Sequence, residues 1–254
     1  MNIIENINKS RINLKKYLEN EWDTSTIENY SNKELELLYN NQKLLKENLI
    51  SFGQGSNCNF SLQHRKIPSH NLHVIYYNFP DYLNNNHVKI TKTCADKING
   101  LYENEIIKKD DSVIIIILDK VSENLSKSIE NLYINGQEYL MNENLSEDVI
   151  MENESLIINE RLSFKHFRNI HIFYLNHLSI DISNNIYVPK HTVIRNQNDI
   201  NKIFNDCNCD ENKLPIILRT DPQAKILRLA PGDICKIHRI SDNVGDNIYY
   251  RICH

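Results

Sequence analysis

The chain has 254 residues, enough for one large domain or two modest ones, and its pattern divides it in two. A formal net charge of -4 gives no bulk attraction for nucleic acid, so any DNA contact must come from a local patch. The longest apolar block, residues 113–118, is far too short to span a bilayer, and Met1–Ser10 lacks the basic start and apolar core of a signal peptide.

Six cysteines without a Cys-x-x-Cys pair argue against a disulfide framework and for a reducing, intracellular compartment with no membrane partner. Asn and Ile are abundant while Gly and Pro number 6 each, a bias of AT-rich coding; with 41% apolar residues this is not the composition of disorder.

Ile4, Ile7, Leu14 and Leu18 recur on a helical period, followed by Trp22. Ser31 and Glu34 form a capping box ahead of Leu37, Leu38, Leu44 and Leu45, so two helices open the chain. A polar stretch with Gly53-Gln54-Gly55 reads as a flexible loop, Leu72–Tyr77 as a strand, and His87–Thr91 as a second, shorter one. Ile98, Leu101, Ile106 and Ile107 predict a helix, Val113–Leu118 a strand covered on both faces, and Leu125, Ile129 and Leu132 a helix after Ser122. From Ser128 to Glu160 there is no Lys or Arg but many Asp and Glu, read as a solvated insertion of hairpins and loops over about 134–160. Apolar periodicity returns over Phe164–Leu175, and the polar cluster Ser183-Asn184-Asn185 marks a boundary, giving units 1–182 and 183–254.

The second unit opens with Val188-Pro189-Lys190-His191 and a short helix over Asn198–Phe204. Leu214–Leu218 is a strand whose Pro215 suits an edge, and Asp221-Pro222 caps and starts another helix. Pro231-Gly232 turns the chain into a hairpin of Ile234–Ile240 and Ile248–Cys253 around the loop Ser241–Asp246. Ile248, Tyr250 and Ile252 then share a core face, leaving Tyr249, Arg251 and Cys253 on a face available to a partner.

The string Leu214-Pro215, Asp221-Pro222, Ala224, Pro231-Gly232-Asp233, Lys236-Ile237, Arg239, Ser241, Gly245 and Tyr250-Arg251-Ile252 resembles, in order and spacing, a known assembly domain. It is that of the common fifth subunit of eukaryotic-type DNA-directed RNA polymerases and of its archaeal homologue. The first 180 or so residues resemble the eukaryotic subunit's jaw domain only in layout, with Val121-Ser122-Glu123-Asn124 where the family has a Thr-Pro-Ser-Ala turn.

The resemblance implies an α/β (α+β) fold: a jaw-like domain of helices on a small mixed sheet, then an assembly domain of about four strands and two short helices. It implies a non-catalytic subunit anchored on the largest polymerase subunit, with Pro215, Asp221, Pro222, Lys236, Arg239, Tyr250 and Arg251 as anchor candidates. Downstream duplex DNA would lie near Lys108, Lys109, Lys120 and Ser122, with Lys89 and Lys92 as further weak phosphate contacts. No catalytic residue, metal, cofactor or small-molecule ligand is expected. The coding bias and enlarged jaw suggest a polymerase of a large cytoplasmic DNA virus, with a protist nuclear enzyme as the alternative.

Two readings of other classes stand beside this one. A stand-alone interaction module would share the assembly fold but not the polymerase. A metal-dependent nuclease could use Pro80-Asp81 and Glu211-Asn212-Lys213, but these lie far apart in sequence. Neither His70 with His73 nor Cys207 with Cys209 has the second pair a structural zinc site needs.

Overall fold

The computed structural model describes residues 2–80, 93–241 and 245–254. His87–Thr91, Lys89, Lys92, Asp81 and part of the expected hairpin loop lie outside the described residues.

The chain opens with helix α1 (Ile3–Leu18), capped by the Asn2 side chain and burying Ile4, Ile7, Leu14 and Leu18. Helices α2 (Asn32–Tyr39) and α3 (Gln42–Glu47) follow, and the Ser31–Glu34 capping box is present with both reciprocal bonds. The segment with two glycines is not a flexible loop: Gln54, Gly55 and Ser56 are buried, and Gln54 N donates to Phe79 O. Gly53 (φ 113°) sits so close to Phe79 that a Cβ would lie 2.9 Å from its carbonyl oxygen, which explains the glycine.

Strands β1 (Phe60–Gln63), β2 (Asn71–Tyr77), β3 (Ser112–Ile117) and β4 (Ile170–Tyr174) form one sheet in that order, β1 antiparallel and the rest parallel. Parallel neighbours need long crossovers, usually helical. They are α4 (Thr93–Glu103) between β2 and β3, then α5 (Glu123–Glu143) and α6 (Glu147–Glu154) between β3 and β4. All six residues of β3 are buried: Ile114 and Ile116 face the core under α1, and Val113, Ile115 and Ile117 face α4 and α5.

The acidic stretch departs from expectation. It is helical, because the apolar period continues past Leu132 through Tyr133, Gly136 and Gln137 to Leu140 on the buried face of α5. Its acids occupy the other faces, while Leu140 and Val149 join Ile67 and Phe167 in a small core.

Helix α7 (Leu175–Leu178) leads to the second sheet, with β5 (Lys190–Ile194), β6 (Ile216–Ile217), β7 (Ile234–Ser241) and β8 (Gly245–Cys253) in the order β5-β7-β8-β6. Helices α8 (Gln197–Asp206) and α9 (Pro222–Ile226) cover its two faces. On one side Ile234 and Ile252 pack with Ile203 and Leu214; on the other Cys235, Ile237 and Cys253 pack with Ala224 and Leu229. The face carrying Arg251 is therefore not spare along its length: α9 closes it at Cys253, and only its outer part is open. Strand β6 is shorter than the expected Leu214–Leu218, and Leu214 is buried beneath α8 instead.

Candidate functional site

Five of the seven anchor candidates border one groove. It holds about 420 Å³ and is lined by Pro189, His191, Pro215, Asp221, Arg239, Tyr249, Tyr250 and Arg251, with Ile217 and Ile237 beneath. Antiparallel register builds it: Cys235 pairs Arg251, Ile237 pairs Tyr249 and Arg239 pairs Asn247, placing Arg239, Tyr249 and Arg251 on one face. Arg251 is exposed and donates from Nη1 to Ile216 O at 3.1 Å, which leaves most of its donors free. Arg239 is exposed and has no hydrogen bond or ion pair among the described residues. Asp221 caps α9 by accepting from Gln223 N, and Pro222 begins that helix as anticipated.

The other candidates separate. Lys236 pairs with Tyr250 on the opposite face, where Tyr250 packs toward Ile203 and Leu214 while still bordering the groove. Lys108 and Lys109 precede β3 and Lys120 and Ser122 follow it, so a strand of roughly 20 Å divides them. Lys109 Nζ donates to Glu143 O at the end of α5, and Ser122 accepts from Leu125 N as N-cap of α5. Both therefore have local structural roles. In the nuclease constellation, Glu211–Lys213 is a short 3-10 turn with Lys213 paired to Asp210. No group of three or more His, Cys, Asp or Glu placed to hold a metal occurs among the described residues.

A second feature was not visible in the sequence. Asp233 receives three contacts of 3.1–3.2 Å from Arg195 and one of 2.9 Å from His166 Nε2. Ala230 N adds a fifth contact at 2.9 Å, and Arg195 also binds Glu21, three residues past α1. Burial alone would raise the Asp233 carboxyl, but the charges of Arg195 and His166 and their hydrogen bonds hold it well below the usual carboxylate range.

Three more cations cross from the second sheet's unit to the outward carbonyls of β4 and the residue before it. Arg228 donates to Asn169 O at 2.6 Å, Arg219 to Ile170 O at 2.6 Å and Lys225 to Ile172 O at 3.3 Å. Arg219 also binds Glu130 at 2.6 Å and lies 3.7 Å over the Tyr133 ring. Such contacts are invisible to periodicity because they depend on long-range docking; the one sequence hint was the number of arginines flanking short strands.

Fold and groove define a two-sheet α/β protein whose C-terminal unit exposes a cleft of prolines, arginines and tyrosines. The family profile described as RNA polymerase Rpb5, C-terminal domain, matches residues 180–253. DNA-directed RNA polymerase subunit Rpo5 of Nitrosopumilus maritimus is 37% identical over 70 residues, 28% of this chain and 83% of the relative. The Rpo5 subunits of Sulfolobus acidocaldarius and Methanosphaera stadtmanae are 39% identical over 72 residues and 35% over 75. These alignments cover 28% and 30% of this chain and 84% and 96% of those relatives. The chain belongs to the Rpb5/Rpo5 family of DNA-directed RNA polymerase subunits.

Proposed function

We propose that this chain is a non-catalytic subunit of a multisubunit DNA-directed RNA polymerase, with residues 183–254 as its assembly unit, anchored on the largest subunit through the groove around Arg239 and Arg251. The observation that carries the reading is the coincidence of the family match with a groove that gathers Pro215, Asp221, Arg239 and Arg251, whose arginine donors are largely uncommitted. Arginine suits such an anchor because its planar fork gives several donors to carboxylates or carbonyls, and truncating a central anchor costs about 2 kcal/mol or more.

Residues 1–182 act as a jaw-like arm beside downstream DNA in this reading. Lys109 and Ser122 are engaged within the chain and few cations gather at either end of β3, so the DNA contact is weak and salt-screened. The Asn- and Ile-rich composition favours a large cytoplasmic DNA virus as source, with the protein in virion and host cytoplasm; a protist nucleus is the alternative setting.

Charge reversal of Arg239 and Arg251 together tests the anchor. The double variant, with its fold checked by circular dichroism, should release the largest subunit in a pull-down at moderate salt, whereas reversal of Lys108 and Lys109 should not. Full retention by the arginine variant would overturn the anchor, and recovery of the wild-type chain with no other polymerase subunit would favour the stand-alone module.

A further inference from the structure

A separate groove of about 280 Å³ lies along the seam between the two sheets' units. Ile172, Phe173 and Leu178 form its floor, Val121, Ile182, Pro222 and Ile226 its walls, and Lys120, Lys225 and His177 its polar rim; no carboxylate side chain lines it. The Lys225 ammonium has three donors and one observed acceptor, Ile172 O, and it pairs with no carboxylate among the described residues. The two acids acting on it at longer range are engaged elsewhere, Glu130 with Arg219 and Asp221 with Gln223 N. Burial pulls the Lys225 amine down from its ordinary value, the sign of an ammonium lacking a strong counter-charge.

From this geometry we infer that the seam groove docks a peptide segment of a partner protein, one presenting a leucine- or phenylalanine-like side chain beside an aspartate or glutamate. The apolar side chain would sit against Val121, Ile182 and Ile226, the more exposed apolar residues of the lining, while the carboxylate takes the free donors of Lys225, with Lys120 as a second cation at the rim. A protein partner is favoured over a small molecule on size, because the groove falls below the roughly 300–1,000 Å³ of small-molecule sites and suits an anchor side chain. This inference does not depend on the assembly groove.

The test is a titration of the full chain, labelled at isoleucine methyls, with acetyl-Leu-Asp-Phe-Asp-amide and with its asparagine counterpart. Saturable shifts of the Ile172, Ile182 and Ile226 methyls are expected with the acidic peptide, and about tenfold weaker binding of the amide version. Lys225→Met should erase that tenfold preference while circular dichroism stays unchanged. Equal binding of both peptides, or no shift of these methyls at millimolar peptide, would overturn the proposal even if the variant failed to fold. Sodium acetate moving the same methyls as strongly as the acidic peptide would assign a small-carboxylate site and overturn the protein-docking assignment.

Discussion

Replacing Asp233 with Asn keeps the shape of the side chain and removes the charge that Arg195 and His166 surround. Asp233 and Arg195 side chains are 5% and 16% exposed, so the pair is shielded from water and its loss leaves a cation poorly compensated. Breaking a buried pair from one side costs about 3–5 kcal/mol; Arg195 keeps Glu21, which is 29% exposed, so the lower end, about 3 kcal/mol, is expected. For a chain of this size that corresponds to a fall in Tm of roughly 6–12 °C. Urea melts read by tryptophan fluorescence suit the assay, because Trp22 lies in the core near His64 and His70 beside this network. A double-mutant cycle with Arg195→Gln should show strong coupling. A loss under about 1 kcal/mol, or additive single-variant effects, would refute the argument that this pair joins the two units.

The buried histidines predict acid sensitivity. Burial lowers His64 to about 4 and puts His70 and His171 well below their ordinary value. Each is neutral when folded and protonates near pH 6.5 when unfolded, so stability is full above that pH and falls as pH drops toward 4, by about 1.4 kcal/mol per unit per histidine. Thermal melts from pH 7 to 4.5 should therefore show a steep drop, and a flat profile would contradict the burial of these rings. Ser31→Ala removes the hydroxyl that accepts from Glu34 N and donates to Glu34 Oε2, keeps the bond from Ser31 N to Glu34, and should cost about 1 kcal/mol, measured by urea denaturation. Deleting residues 136–159 strips Leu140 and Val149 from Ile67 and Phe167, so it should lower Tm measurably; an unchanged Tm would restore the reading of a dispensable surface insertion.

The parts of the fold legible in the sequence were those fixed by short-range chemistry. Ser31 with Glu34, Asp221 with Pro222 and the run Val113–Leu118 each carry their own instruction within a few residues; both caps form as read, and the strand forms one residue earlier, over Ser112–Ile117. The helix at Leu125, Ile129 and Leu132 was read, but its continuation to Leu140 and the following α6 were obscured because charged and polar positions outnumber the apolar ones there. Of the groove, strand alternation already separated Tyr250 from Tyr249 and Arg251, but not the face on which the candidates of the neighbouring strand fall beside them. That placement follows from the register of β7 on β8, which separates Lys236 from Arg239 and Arg251. The Arg195–Asp233 and Arg219–Glu130 pairs span 38 and 89 positions, distances over which no local pattern speaks.

The cations that reach β4 also act on aggregation. β4 is the last strand of its sheet, and a strand edge with unpaired carbonyls is a template for pairing with another chain. Here Arg228, Arg219 and Lys225 occupy that row with side chains instead of a further strand. All three lie after residue 180, so during synthesis the first sheet can form while its edge is still bare. At about 5–20 residues per second, the 48 residues from 180 to Arg228 take roughly 2–10 s to appear. A fragment ending near residue 180 would leave that edge open and should self-associate through β4, which size-exclusion chromatography over a range of concentrations would read.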